Sequence, residues 1–408
     1  MCAERASCTG PLMLALARAP LRALRRGASM PKEAARGRHE AARGRRSRFF
    51  AAATPFAAHA AGADADAVPC PVVHRMGAVV QARLLRRYKR FLADVELDAP
   101  ARSLPGVGKA EAGVGKAEAV TVHCPNTGPM TGLLDELPAL CLLSHHESKT
   151  RKYAFTLEAI CVRGTWVGVH SARANAVVEA AVRGGLLDAP LALGGGRRGA
   201  IQREVRVECP GEQATATGKG KGKAKAKGKG SSRRDLVVER LLAPTQGDGR
   251  DDGASGPAPD RVHIEVKAVT LESGQRSTYE DANGLVALFP DTVSVRAQKH
   301  MDELRAYQRQ ALSRRGGQGA AGAPHAAVAF LIFRDDCTSF CPADVCDPRY
   351  GKLVRQAHSE GVGILPLRCS LRLEGAPDRF GRQELVVEVA PGLAPLERPL
   401  WDAIAYSD

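Results

Sequence analysis

The sequence predicts an α+β chain of more than one domain, a small barrel of short strands followed by an α/β domain. Three observations carry this reading. At 408 residues and 44% apolar content, the chain can bury sizeable cores and has room for about two or three domains. From about Ala78 to residue 165, short strand-like runs are separated by Gly/Pro turns, as in HCPNTG and AICVRGTWVGV. After residue 166, strand-like runs alternate with stretches of helical spacing, the pattern of a sheet covered by helices.

Residues 1–72 hold no fold pattern. Residues 1–70 carry twelve Arg or Lys against five Asp or Glu. Leu12, Leu14, Leu16, Leu21 and Leu24 interleave with Arg18, Arg22, Arg25 and Arg26, a basic amphipathic segment of the kind that directs a chain to a plastid or mitochondrion. Pro20 interrupts it, and the alternative is a basic arm on a protein of the cytoplasm or nucleus.

Residues 73–165 form the expected barrel. AVVQARLLRRYKRFLADVEL reads as one or two strands and carries Arg87, Tyr88, Lys89 and Arg90. Residues 100–119 read as an inserted loop. It holds GVGKAEA twice in succession, too few copies to build a repeat architecture. SHHESKTRKYAFTLEAI then sets Lys149, Arg151 and Lys152 beside Tyr153 and Phe155. Basic residues next to aromatics suit a face that stacks bases and screens phosphates; they equally suit a solvated strand edge protected from aggregation.

Residues 166–395 form the expected α/β domain. Ala172 to Leu187 has helical spacing and GGGRRG stops it. Residues 209–232 are low in complexity, with Lys219, Lys221, Lys223, Lys225, Lys227 and Lys229 at every second position on Gly or Ala, a pattern that cannot bury a core. RRDLVVERLL is a strand led by Asp235, and residues 245–260 are a polar linker. HIEVKAVTL follows, then an ALFPDT turn, a helix from Val293 to Leu312, the strand AAVAFLIF, a helix from Tyr350 to Glu360, and the strands GILPLRCSL and ELVVEV. Residues 396–408 are a tail.

The formal charge of +15 is local: residues 1–70 contribute +7 and the lysine loop +6, leaving the body nearly neutral. Attraction to phosphate is therefore concentrated in the tail, the loop and small clusters. Eleven irregularly spaced cysteines argue against a disulfide framework and for a reducing compartment. Cys337, Cys341 and Cys346 lack a fourth ligand nearby and have poor zinc spacing. No apolar run approaches the about 18 residues of a membrane span, so no membrane partner is expected.

HIEVKAVTL concentrates the chemistry. On a strand of period two, Val262, Ile264 and Val266 face a core while Glu265 and Lys267 share the other face, roughly 7 Å apart. A carboxylate there can hold a divalent cation while the ammonium reaches the same phosphate or water. The same triplet is also what an exposed ion pair looks like.

Several runs together resemble one family. RRYKRFLADV, HCPNTGPMTG, the run from Ser144 to Glu158, IEVKAVTL, FPDTVSVRAQKHMDEL and the run from Phe340 to Tyr350 are similar, in order, to the sugar fermentation stimulation proteins. The resemblance covers about residues 78 to 375. It implies an N-terminal OB-fold β-barrel followed by a PD-(D/E)xK nuclease-like α/β domain, with DNA, duplex or single-stranded, as partner. Carried over, Asp235 matches the strand-leading acid and Glu265 and Lys267 the E-x-K pair, with Asp235 and Glu265 as Mg²⁺ ligands if the site is catalytic. Arg296, Lys299 and His300 on the following helix would hold the nucleic-acid backbone or form a solvated face. Two departures stand out: Ala297 replaces a usual glycine, and Glu179, the acid of the helix led by Asn175, sits one position early and is expected to point away from the site. The function implied is sequence-nonspecific DNA binding; the alternative is a Mg²⁺-dependent endonuclease. No small-molecule cofactor is evident.

Overall fold

The computed structural model describes residues 72–105, 107, 119–148, 150–194, 198–208, 231–241, 260–275, 284–314 and 323–390. The basic tail, most of the GVGKAEA duplication, Lys149, the lysine loop, the polar linker and the last residues lie outside this range.

The barrel is built from β1 (Val72–Tyr88), β2 (Leu92–Leu97), β3 (Ala119–His123), β4 (Ala139–His145) and β5 (Phe155–Val162), with β6 (Thr165–Gly168) paired to β5. The order β2-β3-β5-β4-β1 closes through a further β1–β2 pairing, so no strand of the barrel is left as an edge. Alternation decides what fills it: Val80, Ala82 and Leu84 of β1 point inward with Val95, Leu143, Phe155 and Leu157, all buried. Met76 and Val79 of the same strand join a different core, outside the barrel.

One strand serves both halves of the molecule. The register of β1 slips at Gly77, where φ is +97°, a conformation open to glycine and strained for other residues. Val72 to Arg75 before the slip and Gly77 to Val79 after it pair with β15 (Gln383–Val389); further along, Ala82 to Tyr88 pair with β2. Through β15 the barrel runs into the second sheet, which continues as β14 (Gly363–Glu374), β12 (Ala326–Ile332), β9 (Asp260–Val269), β8 (Ser231–Arg240) and β7 (Arg198–Glu208).

The middle of this sheet, β9-β12-β14, is parallel and covered on both faces. α1 (Arg173–Arg183) and the short α2 (Asp188–Leu191) lie on one side; α3 (Val295–Arg314) and α4 (Pro348–Ser359) on the other. AAVAFLI divides by parity: Ala327, Ala329 and Leu331 face α1, while Val328, Phe330 and Ile332 face α3 and α4. A separate three-stranded sheet, β10 (Leu271–Glu272), β11 (Leu285–Phe289) and β13 (Cys337–Pro342), flanks the α3 side.

The two motifs around proline have structural tasks. Asp347 caps α4 by accepting from Tyr350 N at 3.0 Å, with Pro348 in the first turn where its missing N–H does no harm. The same carboxylate accepts from Ser294 N and Gln298 Nε2, both at 2.9 Å, and so ties the start of α3 to the start of α4. Asp291, ahead of α3, is held by the Met130 backbone and lies against Gly128, so FPDT docks on the PNTGPM loop of the barrel.

Among the described residues, Cys124, Cys141, Cys161, Cys337 and Cys369 are free thiols. Burial pushes Cys337 and Cys341 up to about 12, which makes both poor thiolate ligands. No helix among the described residues is long and apolar enough to cross a membrane.

Candidate functional site

β8 and β9 run antiparallel in register from Arg240↔Asp260 to Leu236↔Ile264, and there the backbone ladder ends. The next side chain takes over: Asp235 Oδ2 accepts from Val266 N at 2.8 Å, so the carboxylate replaces the missing strand partner. Its other oxygen accepts from Asn175 Nδ2 of α1 at 3.1 Å. Burial raises the Asp235 pKa, and the charge of Glu265 raises it further.

Glu265 stands inside the sheet, 2% exposed. Lys267 Nζ donates to its Oε1 at 2.6 Å, and His300 Nδ1 of α3 bonds the same oxygen. Lys267 Nζ also lies 3.3 Å from His300 Nδ1. Burial alone would raise the Glu265 pKa; the His300 bond and the Lys267 charge outweigh it and hold the group at about 2. Glu265 Oε2 is buried and has no hydrogen-bond partner among the described residues. Tyr350 Oη, fully buried and coupled to the Glu265 charge, has none either.

The site therefore joins Asp235, Glu265 and Lys267, and adds two groups. Asn175 marked only the start of a helix in the sequence, and nothing local tied it to Asp235. His300 is corrected from the nucleic-acid set: it is 9% exposed and turned onto Glu265, because α3 lies flat on the sheet and buries Gln298, His300 and Glu303 as well as its apolar stripe. Nor is the Glu265 face of the strand open to solvent, since α3 covers it. Glu179 does turn away, as its offset suggests, and binds Arg183 at 2.7 Å and also Arg203.

The basic residues of the barrel divide. Lys89 and Arg90 form the exposed tip of the β1–β2 hairpin, with φ of 47° and 62°. Arg151 and Lys152 are exposed, Lys152 Nζ lying 5.4 Å from the Tyr153 ring centre. Arg296 and Lys299 are exposed on α3, with Lys299 3.7 Å from Glu303. Arg87 and Tyr88 correct the picture of a free strand face. Arg87 donates to the carbonyls of Arg90 (2.8 Å) and Asn126 (2.7 Å), bracing the PNTG loop. Tyr88 donates to Asp94 at 2.9 Å, and the Arg86 guanidinium covers its ring at 5.1 Å. A guanidinium or phenol beside unmet acceptors is drawn to them before it is available to a ligand.

The family description "SfsA N-terminal OB domain" matches residues 85–169, and "Sugar fermentation stimulation protein RE domain" matches residues 230–375. A sugar fermentation stimulation protein homolog of Thermosynechococcus vestitus is 33% identical over 294 residues, 72% of this chain and 89% of its own length. The chain belongs to the sugar fermentation stimulation family. A Synechocystis homolog is likewise 33% identical, over 76% of this chain and 96% of its own length. Among solved structures, Pyrococcus furiosus SfsA, described in complex with Ca²⁺, aligns with a TM-score of 0.46 at 20% identity, covering 78% of this chain and 96% of that one. Membership accounts for the OB barrel and supports a nucleic-acid partner.

The donor set at Asp235 and Glu265 fits a hard divalent cation. Both are carboxylates, and one buried oxygen is unmet. Among the described residues no group of three or more His, Cys, Asp or Glu is arranged to hold a metal. An ion here would draw its remaining ligands from water or a phosphate, as Mg²⁺ commonly does.

Proposed function

We propose that this protein binds DNA with little sequence preference and holds a phosphodiester at Asp235 and Glu265 through Mg²⁺. The observation that carries the site is Glu265 Oε2, an ionised, buried oxygen with no partner. Leaving such an acceptor unmet is costly in a folded protein, so it points to a ligand. The exposed Lys89, Arg90, Arg151, Lys152, Arg296 and Lys299 support a polyanionic partner, and Lys219 to Lys229 would add salt-sensitive affinity without reading bases.

A second reading, metal-dependent endonuclease, is favoured by Lys267. Mg²⁺ when bound would act as a Lewis acid on the phosphate and its water. His300 and Lys267 keep Glu265 ionised, and Lys267, 2.6 Å from it, would stabilise charge developing on the phosphate. His300 fixes the Glu265 rotamer, and Asn175 with Val266 N fixes Asp235.

The test uses the full chain with labelled DNA, Mg²⁺ and supercoiled plasmid. Under the binding reading, Mg²⁺ tightens DNA binding and Glu265→Gln abolishes that gain. Under the second, plasmid is also nicked, and Asp235→Asn and Glu265→Gln both stop it. Nicking that survives both variants would remove the assignment, and intact DNA binding without Mg²⁺ response or nicking would leave a binding protein alone. For residues 1–70, ahead of the family match, the Arg-rich and acid-poor composition supports delivery to a plastid or mitochondrion; a reporter fusion that stays in the cytosol would refute it.

A further inference from the structure

The outside of the barrel carries a polar cluster that the Mg²⁺ site does not use. Leu142 and Ala159 of β4 and β5 face outward into the core shared with α1. Along the same strands the surface turns polar at Ser144, Thr156 and Glu158. Glu158, 2% exposed, accepts from Ser144 Oγ at 2.7 Å and Arg173 Nη2 at 3.0 Å on one oxygen, and pairs with His170 Nδ1 at 2.8 Å on the other. His146 Nε2 lies 3.3 Å from Ser144 Oγ and 3.0 Å from Thr156 Oγ1. His123 pairs with Thr156 across β3 and β5.

We infer that His123, His146, Arg151, His170 and Arg173 form a second phosphate-binding site, at the junction of the barrel with α1, and that its occupant is the backbone of a single DNA strand entering the Asp235–Glu265 site. The inference rests on the DNA reading proposed above and adds the place where the strand is gripped.

Four observations carry it. The cluster's one acid is already occupied: both Glu158 oxygens are bonded, so Glu158 fixes His170 and Arg173 from behind and its charge is set against the Arg173 guanidinium, with Arg151 left over. The cluster also holds an unmet donor. Arg173 Nε is buried without a partner among the described residues, although the side chain is 31% exposed. Third, Arg151 is exposed while His123, His146 and His170 are half-buried, so a ligand can reach them and lose water on doing so.

The fourth is continuity with the Mg²⁺ site. Arg173 binds Glu158 and Asn175, two positions on in the same helix, binds Asp235. Arg173 and Asn175 both lie in the first turn of α1, about 3 Å of rise apart, so the two sites meet at one end of the helix and a strand held at one lies beside the other. A metal is a poorer occupant, since no three of these groups are arranged to hold one.

The geometry gives a pH signature. Burial, His170 and Arg151 hold the His123 pKa below its usual 6.5. Burial and Arg151 do the same for His146, with Arg173 and His145 adding to the shift and Glu158 opposing it. A phosphate among them favours their protonated forms, so binding takes up protons and tightens as pH falls through the histidine range.

The experiment measures binding of the full chain to a labelled short oligothymidine at constant salt, between about pH 8 and about pH 6. Affinity is expected to rise about tenfold over that interval in the parent, and to stay flat in the His123→Gln/His146→Gln double variant. Arg151→Gln, at an exposed position that cannot unsettle the fold, should lower the slope of log affinity against log salt by about 0.7, one phosphate contact on a single strand. A parent pH response retained in the double variant, or an unchanged salt slope in Arg151→Gln, overturns the inference while leaving DNA binding standing. A parent that does not bind the oligonucleotide removes the DNA reading and this site with it.

Discussion

Glu158 and Glu265 are nearly the same residue in two settings. Each sits mid-strand at 2% exposure, each is met by a histidine and a cation, and each is held at about pKa 2. They differ in one oxygen. Both oxygens of Glu158 are bonded; Oε2 of Glu265 is not. A satisfied buried carboxylate is part of the fold's framework, whereas an unsatisfied one calls for an explanation, which in the proposed reading is a bound ion. The contrast also separates a group that orders its neighbours, as Glu158 orders Arg173 and His170, from one whose neighbours order it.

The comparison breaks first at Glu158. Glu158→Ala leaves the Arg173 guanidinium and the His170 ring at the barrel junction without their partner and should destabilise by about 4 kcal/mol in urea unfolding. A loss under about 1 kcal/mol would show that the cluster is not part of the framework.

Acid titration comes next. Burial opposes ionisation of Glu158, but its His170, Arg173 and Ser144 bonds lower its pKa from 4.5 to about 2. A carboxyl depressed in the folded state adds stability that is fully present above about pH 4.5 and is lost as pH falls toward 2, here up to about 3 kcal/mol. Glu158→Gln should flatten unfolding free energy against pH in that window; an unchanged curve would contradict the bonding described.

Mg²⁺ should distinguish the two acids where pH cannot. At about ten times its dissociation constant, an ion bound only by the folded state stabilises by about 1.4 kcal/mol, visible as a rise of a few degrees in Tm. The rise is expected in the parent and in Glu158→Gln, and absent in Glu265→Gln. If Glu158→Gln loses it and Glu265→Gln keeps it, the roles are reversed.

The smallest effect is at Asn175. Asn175→Ala removes one bond to Asp235 and should cost about 1 kcal/mol while weakening the Mg²⁺ response. An unaltered Mg²⁺ response would mean that Val266 N alone orients the carboxylate.

What the sequence by itself determined is what depends on near neighbours. The strand–helix alternation, the inward parity of HIEVKAVTL and AAVAFLIF, and the shared face of Glu265 and Lys267 follow from period two and short-range sterics. Ordered motifs added the family and, with it, the OB barrel. Only the tertiary structure decided which distant groups meet. Asn175 reaches Asp235 across 60 positions and His300 reaches Glu265 across 35. β1 and β15 pair across some three hundred, joining barrel and sheet along a ladder whose register slip falls at Gly77. The physical reason is that a helix face or strand edge chooses its partner by packing, not by local pattern. α3 shows it most plainly: His300 read as a backbone-holding or solvated residue, yet it is buried with Gln298 and Glu303 because each meets a charged side chain on another element.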